Sequence, residues 1–114
     1  MRGSETAMGI LTAQAIEGYR TYTEHTIARA RYRIGTTWYE AQITRKERMA
    51  DGRVAVYIPI LPQSSNTVII TGVELYDKNG ALFASKTESI KAEGVQEGVL
   101  YRFTFDLREE EADV

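Results

Sequence analysis

The sequence predicts a mainly β domain: a small antiparallel β-sandwich or sheet of about six strands with one short N-terminal helix. Three observations predict it. Apolar and polar residues alternate with period two over residues 26–34, 38–44 and 99–107, the signature of strands with one covered and one open face. Turn dipeptides, Asp51-Gly52 and Asn79-Gly80, fall between such runs at hairpin spacing. No strand–helix–strand rhythm exists that would build a parallel sheet, because helix formers cluster only near the N-terminus.

In chain order, residues 1–9 read as a leader or tag-like segment outside the fold, since Met-Arg-Gly-Ser precedes no apolar signal region. Residues 10–22 predict the helix. Thr12 is its N-cap, Leu11, Ile16 and Tyr19 form its apolar face, and Gly18 marks its weakening. A first short strand near Ile10 and Leu11 is the other reading of that start. Residues 26–34 follow as a strand with Ala28, Ala30, Tyr32 and Ile34 on one face and Arg29, Arg31 and Arg33 on the other. After the Gly35-Thr36-Thr37 turn, residues 38–44 place Tyr39, Ala41 and Ile43 opposite Trp38, Glu40, Gln42 and Thr44. Residues 45–53 are polar and basic and read as a connection.

Residues 54–61, apolar on both faces, predict a central strand, yet Pro59 cannot donate to a ladder and so implies an edge or a bulge. Residues 67–87 then form a hairpin around Asp77-Lys78-Asn79-Gly80, with Asn79 and Gly80 suited to positive φ. It is expected in the middle of a sheet, flanked by 54–61 and 99–107. Residues 87–98 read as a polar connection, 99–107 as the last strand, and 109–114 as an acidic tail. The unit is therefore one domain over residues 10–108. A chain of 114 residues buries enough surface for one core without metal or disulfide staples.

Composition narrows the function classes. The net charge of −2 does not argue for nucleic acid or a membrane surface, and no run approaches the roughly 18 apolar residues of a membrane span. Without cysteine there is no disulfide, thiolate nucleophile or sulfur ligand for zinc. His25, the single histidine, reads as a surface or helix-end residue, with neither a nucleophile to activate nor co-ligands. Asp77-x-Asn79-Gly80 resembles the start of a calcium loop, and Glu88 sits at its twelfth position. The fifth position would be Ala81 in a strand, so a hairpin turn is the better reading. No catalytic group, metal site or cofactor is expected.

The binding candidates are Arg29, Arg31, Arg33, Trp38 and Tyr57. Arginines at period two offer bidentate donors to an acidic or phosphate-bearing partner, and Arg45, Lys46, Arg48 and Arg53 extend the patch if they lie beside it. Trp38 and Tyr57 offer stacking surface. The plain alternative is an outer face whose arginines pair with glutamates on a neighbouring strand. A third reading is a subunit interface, where Arg, Tyr and Trp are enriched.

Residues 70–84, ITGVELYDKNGALFA, follow an apolar strand, a strand ending in glycine and a short helix opened by Ile10-Leu11-Thr12. In this order, over residues 10–90, they resemble the N-terminal domain of bacteriophage tail-collar and tail-fibre proteins, where a hairpin of the form I-G-L-Y-D-x-x-G-x-L-x-A recurs. Gly35-Thr36-Thr37 departs from the Gly-Asp-Gly-like turn usual there, and these 114 residues do not include the long shaft of that family, which leaves open a piece of a longer fibre protein or a small accessory protein of a virion or prophage-derived particle. The resemblance implies a non-enzymatic virion structural protein, made in the bacterial host cytoplasm. It implies assembly as a homo-oligomer, by default a trimer, with other virion proteins and a host surface glycan as further partners. The other function class the residues admit is a stand-alone carbohydrate- or peptide-binding β-sandwich using Trp38 and the tyrosines as a platform.

Overall fold

The patterned runs form two antiparallel sheets in the computed structural model, which describes residues 11–62, 66–93 and 98–106. The leader, Leu107 and the acidic tail lie outside the described residues. After α1 (Ala13–Thr26), the chain forms β1 (Ile27–Ile34), β2 (Thr37–Ala41), β3 (Arg45–Arg48), β4 (Val54–Ile60), β5 (Val68–Asp77), β6 (Leu82–Ala92) and β7 (Val99–Phe105). One sheet has the order β2-β1-β5-β6 and the other β3-β4-β7. The mainly β class with an N-terminal helix is as expected, with seven strands where about six were read.

The core lies between the sheets. Val56, Ile58 and Ile60 of β4 pack against Ile27, Ala30 and Tyr32 of β1 and Ile70, Val73 and Leu75 of β5. Val99, Tyr101, Phe103 and Phe105 of β7 close it from one side and remain half-buried. Ala28, expected inward, is exposed. A register shift between Ile27 and Arg29 turns Ile27 into the core in its place.

The sheet expected around the hairpin is corrected. β5 and β6 do pair, but β4 and β7 flank each other in the second sheet. β6 also runs to Ala92, well into the stretch read as a polar connection. The turn between them spans Lys78 to Gly80. Gly80 N–H donates to Asp77 O at 3.0 Å, Gly80 takes φ 86°, and Asp77 Oδ1 accepts from Asn79 and Ala81 N–H at 2.9 Å each. This is a three-residue loop closed by an aspartate side chain, where the left-handed position belongs to glycine.

Pro59 neither bulges nor ends its strand. It pairs with Leu100 of β7 in an unbroken register. Arg53 O and Tyr57 O accept bonds from the β3 side, so odd-numbered residues of β4 turn their backbone groups that way. The missing N–H of Pro59 therefore faces β3, which has already stopped opposite Tyr57. A nominally central strand has an edge in its second half, and proline sits there.

The helix runs past Gly18 to Thr26, with Thr12 Oγ1 accepting from Ala15 N at 3.0 Å as its cap. Its docking differs from expectation. Tyr19 is 56% exposed, whereas Thr23 and Thr26 are buried. β3, a strand unforeseen in the basic stretch, bonds the helix through two side chains. Arg48 bonds Glu17 and Glu24, while Lys46 Nζ donates to the carbonyls of Glu24 and Ile27 at 2.6 and 2.5 Å. Those carbonyls end a helix and have no intrahelical donor, so a lysine is well placed there.

Candidate interaction face

Period two sends Arg29, Arg31 and Arg33 to the outer side of the four-stranded sheet, and the register decides what meets them. Across β1–β2, Arg31 lies opposite Glu40 and Arg33 opposite Trp38. Across β1–β5, Arg29 lies opposite Tyr76, Arg31 opposite Glu74 and Arg33 opposite Gly72. Cross-strand neighbours on one face are close enough for long side chains to interact directly.

The result is an ordered stack. Arg31 Nε donates to Glu74 Oε1 at 2.8 Å, and its guanidinium lies 4.3 Å from the Trp38 ring centre and 5.2 Å from that of Tyr76. Tyr76 O–H donates to the same Glu74 oxygen at 2.5 Å. Arg33 donates to Thr71 Oγ1 and Thr71 O at 2.8 and 3.0 Å and sits 5.2 Å from the Trp38 ring centre. Gly72 lies beneath them: a Cβ there would make ordinary contacts, 3.4 Å from Arg33 Nη2 and 3.5 Å from the Trp38 ring. Arg29 reaches Glu40 at 3.3 Å in a pair exposed on both sides, which adds little stability. Beside it, a depression of about 160 Å³ opens between Arg29, Arg31, Glu40, Tyr76 and Gly80.

Burial would raise the Glu74 carboxyl, but the hydrogen bonds from Tyr76 and Arg31 outweigh it and hold the group below its ordinary value of 4.5. Those bonds raise both the Tyr76 phenol and the Arg31 guanidinium above their ordinary values. A carboxyl lowered by folding adds stability above its unfolded value, and that contribution is lost as pH falls through its folded value. Glu74→Gln is thus expected to cost about 1–2 kcal/mol at neutral pH. It should also flatten the fall in melting temperature as pH drops below 4.5. Thermal melts across that range check this; an unchanged acid slope would remove Glu74 from the account.

The sequence candidates divide between two places. Arg29, Arg31, Arg33 and Trp38 share the face just described. Tyr57 does not: it lies on the outer side of the other sheet, donates to Glu47 Oε1 at 3.0 Å and has Arg45 4.6 Å from its ring centre. Lys46 and Arg48 turn to the helix and Arg53 pairs with Asp51, so none of these extends the patch. The pairing of Arg29 and Arg31 with glutamates matches the plain alternative read from the sequence. Glu74, Tyr76 and Gly72 were missed, although the alternation of residues 72–76 put all three on one side.

The turn residues Asp77, Asn79 and Gly80 act within the hairpin. Glu88, at the calcium loop's twelfth position, instead accepts the Tyr101 hydroxyl. Among the described residues, no group of three or more His, Asp or Glu is placed to share a metal ion, and no helix is long and apolar enough to cross a membrane.

Comparison of the chain with protein-family models, with curated proteins and with solved structures finds no match.

Proposed function

We propose that this chain is a non-enzymatic assembly and attachment module of a phage or prophage virion, of the tail or fibre type, acting through protein–protein contacts. The observation that carries the mode of contact is Arg31, stacked over Trp38 and Tyr76 and anchored by Glu74. Trp, Tyr and Arg dominate the energetics of interfaces. Holding them in place before contact spares the entropy of ordering them. The virion context is supported by residues 70–84 and the elements before them, which keep the order of the tail-collar and tail-fibre domain. The face carries three arginines and two glutamates, Arg33 being the arginine held by a threonine rather than a carboxylate. An acidic side chain of another copy or another virion protein would seat beside it. A glycan platform on Trp38 is less favoured, because a sugar would have to displace the guanidiniums from that ring.

Trp38 is the single tryptophan, so its emission reports this face alone. On assembly, into trimers as fibres of this kind do or with another virion protein, its emission should shift to the blue and resist acrylamide quenching. Arg31→Ala should reverse both and lower the assembled mass by sedimentation. A strict monomer that binds glycans through Trp38 would overturn the reading.

A further inference from the structure

Among the described residues, two sheets with open ends leave four edge strands, β2, β6, β3 and β7, and an exposed edge recruits another strand unless something discourages it. Three of the four carry such a device. β3 is four charged residues, Arg45–Arg48. β2 is five residues long and carries Glu40. β6 has two register shifts against β5 and bears Lys86, Glu88 and Lys91. β7 has none of these. Its sequence is VLYRFTF, with one charge, no proline or glycine and an unbroken register against β4.

The backbone groups it leaves open follow from the ladder. Even-numbered residues of β4 face β7, because the odd-numbered ones face β3. Their partners Val99, Tyr101, Phe103 and Phe105 are thereby bonded, and Leu100, Arg102 and Thr104 turn their N–H and C=O outward. On the inner side of the same edge, Tyr101, Phe103, Phe105 and Phe83 form a run of ring contacts that stays half-buried. One more strand beside β7 would both satisfy the backbone and cover these rings.

We propose that this strand is β7 of a second copy, paired antiparallel about a two-fold axis at Phe103. Charge selects both the partner and the register. Centred on Phe103, the pairing sets Arg102 opposite Thr104 and brings the exposed Asp106 of the other chain diagonally beside Arg102. Centred on Arg102, it would oppose two guanidiniums, which is destabilising. The inner side is self-complementary, Tyr101 meeting Phe105 and Phe103 meeting itself. Two three-stranded sheets become one continuous sheet in the order β3-β4-β7-β7-β4-β3. A two-fold contact pairs whatever unit the chain otherwise forms. This inference rests on the assembly reading only in taking the chain to act through protein contacts, and its surface is separate from Trp38.

Sedimentation velocity tests it. Thr104→Pro removes one outward N–H and no bond to β4, so it should halve the assembled mass with the circular dichroism spectrum unchanged. Arg102→Asp, at an exposed position, sets two acidic groups together across the contact and should raise the pairing Kd roughly tenfold. Adding Asp106→Arg to it should restore pairing. Acrylamide quenching of Trp38 should not change in any of these variants, which separates this contact from the outer face. A monomeric parent chain, a Thr104→Pro variant of undiminished mass, or a charge swap that fails to restore pairing would each overturn the proposal.

Discussion

Ile58→Ala is expected to lower the free energy of unfolding by about 2–5 kcal/mol and the melting temperature by more than about 10 °C. Ile58 has no exposed surface and lies where β4 crosses the joint core of β1 and β5. Its removal takes away transfer free energy and also leaves a cavity that two β-sheets, held by their ladders, cannot close. Tyr57→Ala, one residue earlier on the same strand, is the control. Its side chain lies on the outer face with Glu47 and Arg45, so the expected cost stays near 1 kcal/mol or below. Urea unfolding of the two variants measures the contrast. Equal losses would mean that β4 is not oriented as described, because a slip of one residue exchanges its two faces.

That dependence on period two explains what was legible in the sequence. β1, β4, β5 and β7 begin and end within about two residues of their expected bounds, since β1 and β7 alternate a covered with an open face, β4 is an unbroken apolar run and β5 is bounded by the Asn79-Gly80 turn. β3 was hidden because its inward residues are Lys46 and Arg48. These reach not the apolar core but the helix, so a strand wrote itself in charges. The second half of β6 was hidden for a related reason. At a sheet edge, Lys86 and Glu88 occupy inward positions without being enclosed, and alternation fades. Sheet order was not legible at all. Four consecutive strands, β4 to β7, pair in two sets, the β5–β6 hairpin and β4 with β7 across it, the latter a long-range choice that no local pattern encodes. The arginine face was legible in part. Its β1 and β2 members showed in the alternation, whereas Glu74 and Tyr76 became visible as members only once β5 was known to lie beside β1.

Arg48→Ala is expected to release the helix from the sandwich while leaving the sheets intact. Arg48 Nη1 bonds both Glu17 oxygens at 2.7 Å, and its Nη2 bonds Glu24 Oε1 at 2.8 Å, so one side chain spans two turns of α1. Lys46 reaches only the carbonyls at the end of the helix, and the long tyrosines Tyr19 and Tyr22 point to solvent. The bond to Glu24, made between charged groups that are both partly covered, is worth about 1.5 kcal/mol. Loss of that amount should deprotect the α1 amides in hydrogen exchange by roughly tenfold. The amides of β5, bonded on both sides by β1 and β6, should change far less. Arg48→Lys should not rescue, because an ammonium is a point charge and cannot fork between two carboxylates. Glu24→Ala should exceed Glu17→Ala in effect, since the Glu24 side chain is 22% exposed and that of Glu17 is 50% exposed. Uniform deprotection of α1 and β5 in Arg48→Ala would show instead that helix and sandwich open as one unit, and that β3 holds the whole fold rather than the helix alone.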